Sequence, residues 1–173
     1  RLARMPAFSL HDVTLGYDGH PAVHHLQGMV RSGSLTAIVG PNGSGKSTLM
    51  KGLSGMLQPM DGHIELSGCR QQEVAYLPQA NDIDKSFPAS VADLVSFGLW
   101  RQRGLFSRFT RSDSDDVREA LKAVGLDGFE TRGIDTLSGG QLQRALFARV
   151  LLQNARVILL DEPFTAIDNR TVA

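Results

Sequence analysis

Short apolar runs broken by turn residues set the pattern of this chain. Residues 7–17, AFSLHDVTLGY, mix apolar and polar positions and end in the turn sequence YDGH; AVHHLQGMV (22–30) reads the same way. Both are expected as strands. SLTAIVG (34–40) is short, apolar and β-branched, the composition of a buried strand, and it runs directly into a glycine-rich loop. A helix is expected from Lys46 to Leu57, ended by QPMDG, and HIEL (63–66) and EVAYL (73–77) are expected as further strands.

From Val91 the period lengthens to that of a helix, with Val91, Leu94 and Val95 on one face. SDSDDVREALKAVGL (112–126) supplies capping serines, then acids in the first turn that suit the positive end of the helix dipole. Val117, Ala120, Leu121 and Val124 form one stripe, and Gly125 marks the stop. Residues 141–154 read as another helix and RVILL (156–160) as another buried strand. The expected fold class is α/β: a parallel core interrupted by a helical insert over residues 88–137.

Composition narrows the partners. Eighteen basic residues balance eighteen acidic ones, so no global field favours nucleic acid or anionic lipid. The single cysteine, Cys69, excludes an internal disulfide and suits a reducing compartment. No apolar run has the length of a membrane span, and the N-terminus lacks a signal-peptide core, so a soluble, cytosolic protein is expected. The sequence opens on Arg1 and stops at DNRTVA without a closing element, as expected of part of a longer polypeptide.

Two stretches are built to meet anions. GPNGSGKST (Gly40, Pro41, Asn42, Gly43, Ser44, Gly45, Lys46, Ser47, Thr48) has the P-loop pattern between an apolar strand and a helix. Its glycines let successive N–H groups point inward, and the helix N-terminus adds favourable partial charge. Lys46 is placed to reach the β- and γ-phosphates of a nucleotide and Ser47 to ligate Mg²⁺. LSGGQ (137–141) puts Ser138 as a cap before Gly139, Gly140 and Gln141, a second helix N-terminus with bare amides. Between them in function stands Asp161, at the end of a core strand, as a carboxylate for Mg²⁺. Glu162 beside it is a candidate general base for an attacking water.

The ordered set GPNGSGKST, LPQ (77–79), LSGGQ and ILLDEP resembles the ATP-binding subunit of an ABC transporter, and the resemblance covers almost the whole chain. It implies a P-loop ATPase core with an N-terminal antiparallel β part and a helical insert, one domain over 1–173. Residues 1–87 and 138–173 would form the core subdomain and 88–137 the helical one. It implies a homodimer packed head to tail, each ATP lying between one P-loop and the partner's Ser138–Gln141. Tyr17 matches the aromatic that stacks on adenine, with Val23 beside it; a ring packed on the core is the alternative. Gln79 matches the glutamine that reaches Mg²⁺ and the water and links the site to the insert. Asp168, in FTAID, matches the loop that crosses to the partner, where Thr165 and Ile167 depart mildly from the family's residues. The family's switch histidine follows the carboxylate pair, whereas all five histidines here (His11, His20, His24, His25, His63) precede residue 64. That histidine and the C-terminal strands of the fold are therefore expected beyond this chain.

The resemblance also supplies partners: a multi-span membrane permease and an extracytoplasmic solute-binding protein, with the subunit on the cytoplasmic face of the membrane. Phe87, Phe97, Trp100, Leu105, Phe106 and Phe109, interleaved with Arg101, Arg103, Arg108 and Arg111, offer a groove for a short helix of the permease. Nucleic acid fits this surface less well, given zero net charge and the acids Asp113, Asp115 and Asp116 just beyond. The run SFPASVADLVSFG is similar to importers for manganese, zinc and iron chelates. An importer for another solute, and a soluble ATPase acting on nucleic acid or ribosomes, are the competing readings. The second lacks the expected long coiled-coil insert, and Glu162 argues against a regulator without hydrolysis. His24 and His25, being adjacent, point to opposite faces of a strand and make a poor chelate.

Overall fold

The computed structural model describes residues 6–103 and 110–162; Leu105, Phe106, Arg108, Phe109, Thr165, Ile167 and Asp168 lie outside them. Side-chain placement is likewise not described for Trp100, Arg101 and Arg103. The chain divides into two compact units, Arg1–Tyr76 and Leu77–Ala173.

In the first unit β1 (Pro6–Tyr17) is the centre of an antiparallel sheet, with β2 (His20–Arg31) on one edge and β3 (Asp61–Leu66) on the other. The mixed pattern of β1 has a physical cause. Phe8 and Leu10 are buried at even positions, but Val13 and Leu15 are buried at odd ones. A register shift between Leu10 and Val13 changes the phase, and Asp12 sits there at φ 53°, in the left-handed region. A bulge thus returns both halves of β1 to one apolar face. Gly62 of β3 (φ 72°) lies against the bulge, where any Cβ would collide with the carbonyls of His11 and Asp12.

α1 (Lys46–Leu53) packs on β1, Gly52 lying against Leu15. It ends four residues before the expected Leu57. Gly55 takes φ 73°, and the amides of Met56 and Leu57 both return to the Lys51 carbonyl (3.0 and 3.1 Å). That is a glycine-centred helix stop, and it outweighs the apolar residues that follow.

Residues 34–40 do not form the expected buried strand. They join neither sheet, and Leu35 and Val39 are exposed. Apolar, β-branched composition expresses a preference for burial; a strand also needs hydrogen-bonded neighbours, and among the described residues this segment has no strand partner.

In the second unit α2 (Val91–Arg103), α3 (Arg111–Ala123) and α4 (Gly139–Gln153) pack together. Val91, Val95, Leu121, Leu126, Leu142 and Leu146 are fully buried among them. α2 and α4 meet closely at Gly98, where a methyl group would strike the carbonyl of Arg149. The stripe of α3 is as expected at Val117, Ala120 and Leu121, with Val124 half-buried. Its cap is Thr110 rather than a serine: Thr110 accepts from the Asp113 amide, and the Asp113 carboxylate takes the Thr110 amide in return (3.3 and 2.7 Å). Ser112 and Ser114 lie inside the helix. Before α4, residues 89–92 run beside 130–134, joined by hydrogen bonds Val91 to Arg132, Ala92 to Glu130 and Ile134 to Ala89 (2.9, 2.9 and 3.0 Å). β4 (Val74–Leu77) is buried throughout, and Leu77 accepts the Asp161 amide at 3.0 Å, just past β5 (Val157–Leu160).

α2 has its own cap. The Asp93 carboxylate accepts from the hydroxyl and the amide of Ser90 (2.6 and 2.9 Å). These two bonds, the hydroxyl first, hold the Asp93 carboxyl below the usual aspartate range. The depressed folded value means that this stabilisation is full above the ordinary aspartate pKa and is lost as pH falls through the folded one. Ser90→Ala is expected to cost about 1 kcal/mol in urea unfolding at neutral pH. The difference from the parent should shrink as the medium is made acid, and a cost independent of pH would contradict this account.

Candidate nucleotide site

The P-loop lies in the first unit. Gly43 (φ 78°) and Gly45 (φ 84°) are both left-handed, and a turn closes from the Ser44 amide to the Pro41 carbonyl (3.2 Å). Gly45 is also crowded: a Cβ would lie 2.6 Å from the Ala22 carbonyl oxygen and 2.9 Å from Val23 Cγ2. Conformation and space therefore both demand glycine there. Gly45 is the N-cap of α1 and offers no side-chain acceptor, and the first turn holds no acidic residue. The leading amides of the helix stay available to an anion, with the dipole in its favour. Lys46 Nζ folds over the loop and donates to the carbonyls of Gly40 and Pro41 (2.9 and 2.8 Å). A cation is thus held on the same loop that bares its amides. Thr48 is buried, while Pro41, Asn42 and Ser44 are exposed and Ser47 is half-buried.

Tyr17, at the end of β1, is 45% exposed, so its ring is not part of the core. Lys51 Nζ stands 5.9 Å from the ring centroid. Val23, from β2, fills the space that a Cβ on Gly45 would need and so lies beside the loop.

The remaining predicted residues lie in the second unit. Gln79 is half-buried and precedes a short 3₁₀ turn at Ala80–Asp82 that packs on α4. Ser138 caps α4 reciprocally with Gln141: the Gln141 amide donates to Ser138 Oγ (3.2 Å) and the Ser138 amide to Gln141 Oε1 (2.9 Å). This capping box uses the amides of the cap and of the third helical residue. Gly139 and Gly140, at the first two helical positions, keep theirs for another acceptor. Gly140 has open space where a Cβ would stand.

Asp161 is buried, 3% exposed, just past β5. Glu162 is exposed and has φ 42°, a left-handed conformation that is rare and costly for a glutamate. Composition gives no sign of it; only the fold shows that the candidate base sits on a strained turn.

Three features escaped the sequence reading. Lys85 Nζ donates to the Leu137 carbonyl (2.8 Å), immediately before Ser138. Asn154 ends α4 in the left-handed region (φ 44°), for which an asparagine near a helix end is a recognisable cue. A cavity of about 430 Å³ opens among Phe87, Pro88, Ser90, Thr131, Gly133 and Asp135, beside the exposed Phe87 ring.

The profile of a family described as ABC transporter matches residues 23–165. A manganese transport system ATP-binding protein of Synechocystis sp., MntA, is 44% identical over 156 residues, covering 87% of this chain and 60% of the relative. A chelated iron transport system membrane protein of Yersinia pestis, YfeB, is 38% identical over 173 residues, 96% of this chain and 58% of the relative. The chain thus spans about three fifths of the length of these curated relatives. A solved ABC transporter in an inward-facing conformation matches with a TM-score of 0.75 at 31% identity, over 94% of this chain and 62% of the other. Among the described residues no helix is long and apolar enough to cross a membrane.

The Ser138–Gln141 box makes a structural prediction independent of any ligand. Ser138→Ala is expected to lower stability by about 1 kcal/mol in urea unfolding, with Ser138→Asp closer to the parent. Equal stability of all three would show that the cap contributes nothing.

Proposed function

The chain belongs to the ABC transporter family, and from that premise we propose that it hydrolyses ATP to energise a membrane importer for a metal ion or an iron chelate. The observation that carries the ATP reading is the uncapped start of α1 behind two left-handed glycines, with Lys46 lying over the same loop. The cargo rests on relatives named for manganese and chelated iron transport.

In this reading residues 1–173 form one ATPase domain, with 88–137 as its helical subdomain. Gly40–Thr48 cradle the phosphates, Lys46 leaves its loop carbonyls for the β- and γ-phosphates, and Tyr17 stacks on the adenine. The donor set fits a hard cation: Mg²⁺ would be held by the Ser47 hydroxyl, Gln79 and the Asp161 carboxylate, and would neutralise phosphate charge. Glu162 takes a proton from the attacking water, and Gln79 helps to orient that water.

The amides of Gly139 and Gly140 and the Ser138 hydroxyl serve the γ-phosphate of a nucleotide held by a second copy. Two copies therefore close on two ATP molecules and part when hydrolysis removes the bridging phosphate. The permease docks on the helical subdomain near Phe87 and Phe97, and a solute-binding protein delivers the cargo on the far side. That arrangement puts the subunit on the cytoplasmic face of the membrane.

Glu162→Gln in the full-length protein keeps the shape of the side chain and removes the base. It is expected to lower turnover by about a hundredfold or more and to accumulate an ATP-bound dimer on size exclusion. A variant that stays monomeric at saturating ATP would contradict the paired arrangement.

A further inference from the structure

We propose that Lys85 is a positioning residue that ties the segment following Gln79 to the anion-binding start of α4, so that the two nucleotide sites of the dimer report to each other through it. This rests on the reading of Gln79 and Ser138–Gln141 given above.

The geometry is local to the second unit. Lys85 Nζ donates to the Leu137 carbonyl at 2.8 Å across 52 positions of sequence, in a part-buried setting. Leu137 is itself anchored: its side chain is 4% exposed and its amide returns to the Ile134 carbonyl (3.3 Å). The next residue is the Ser138 cap, whose carbonyl accepts the first helical bond, from Leu142 (2.9 Å). Fixing the Leu137 carbonyl fixes the plane of the peptide that carries the Ser138 amide, because that bond is planar. That amide is one arm of the capping box. The lysine therefore acts at the one peptide through which the chain enters the helix.

The other end of the tie is equally short. Between Gln79 and Lys85 lies only the Ala80–Asp82 turn, which packs on α4, and the loop closed by the Asp84 carboxylate on the amide and hydroxyl of Ser86 (2.9 and 2.7 Å). Beyond Lys85, residues 89–92 are stitched to 130–134 by backbone hydrogen bonds. Lys85 continues that contact toward α4 with a side chain, where the backbone rungs stop.

Charge gives a second reason to regard this lysine as more than a strut. An ammonium beside a helix N-terminus opposes the helix dipole, so the position is unfavourable on helix grounds alone. It becomes favourable when a phosphate takes the amides of Gly139 and Gly140, since the anion meets both the dipole and the lysine. The tie is thus strengthened by the ligand of the second copy, while its other end begins at the glutamine attending the first copy's own nucleotide.

The test uses the full-length protein, assembled with its permease, and reads ATP turnover against ATP concentration. Lys85→Met keeps the stem and removes the charge and the donors; Lys85→Arg keeps both. For Lys85→Met we expect a three- to tenfold loss of kcat/KM and a Hill coefficient falling toward one, with only a small loss of thermal stability, out of proportion to the loss of activity, and Lys85→Arg close to the parent. Ser138→Arg, measured in parallel, tests the underlying reading and should abolish turnover. If Ser138→Arg abolishes turnover while Lys85→Met leaves both the Hill coefficient and kcat/KM unchanged, the role of Lys85 is overturned and the site reading stands. If Ser138→Arg turns over normally, the site reading itself falls, and the proposal with it. Should Lys85→Met lower the melting temperature in step with activity and Lys85→Arg fail to rescue, the residue is a structural strut only.

Discussion

The first amides of an α-helix have no partner inside the helix, and the way this chain disposes of them governs its chemistry. α2 closes its start fully: Ser90 and Asp93 satisfy each other, and the Val91 and Ala92 amides go to the Arg132 and Glu130 carbonyls. α1 does not: Gly45 caps it with nothing, and no acid sits in its first turn. α3 and α4 share a reciprocal box, Thr110 with Asp113 and Ser138 with Gln141, that leaves the first two helical amides to other acceptors, but the box of α3 carries a carboxylate where that of α4 carries a neutral amide. Among the described helices, α1 and α4 combine open leading amides with a first turn free of acids, the combination that suits an anion. An open start behind a wrapped glycine loop suits a polyphosphate, and a half-capped one suits the end of such a chain.

The starts of α1 and α4 were legible in the letters because caps are short-range chemistry, whereas the cap of α3 is Thr110 rather than the expected serines and the Ser90–Asp93 cap of α2 had no counterpart in the sequence reading. Glycine at 43 and 45, the lysine at 46 and the order Ser-Gly-Gly-Gln at 138–141 each state a local backbone requirement. The strands of the first sheet were legible for the same reason, through turns such as YDGH. The bulge at Asp12 was not, because it is decided by β3: Gly62 permits an approach that no other residue allows. Residues 34–40 were misread from composition, which reports what a segment prefers to touch and is silent on which strand lies beside it. The stop of α1 is signalled in the sequence by Gly55, whose left-handed conformation outweighs the apolar residues beyond it.

Long-range ties were the least legible part. Nothing in DKSFPAS singles out Lys85, whose partner is 52 residues away and is a backbone carbonyl, so no pairing of side-chain types betrays it. The left-handed glutamate at 162 is similarly hidden, since its conformation follows from how β5 ends rather than from its own propensity. Both belong to the places where a fold spends stability on position, which are the places where local rules are expected to fail.

The account's central claim is that neither copy holds a whole reaction centre. Mixing two inactive full-length variants tests it most directly. A dimer of Lys46→Ala with Ser138→Arg contains one site in which both motifs are damaged and one in which both are intact. The account predicts that each variant alone is inert and that the mixture recovers ATP turnover. A mixture as inactive as its components, with mixed dimers shown to form, would contradict it.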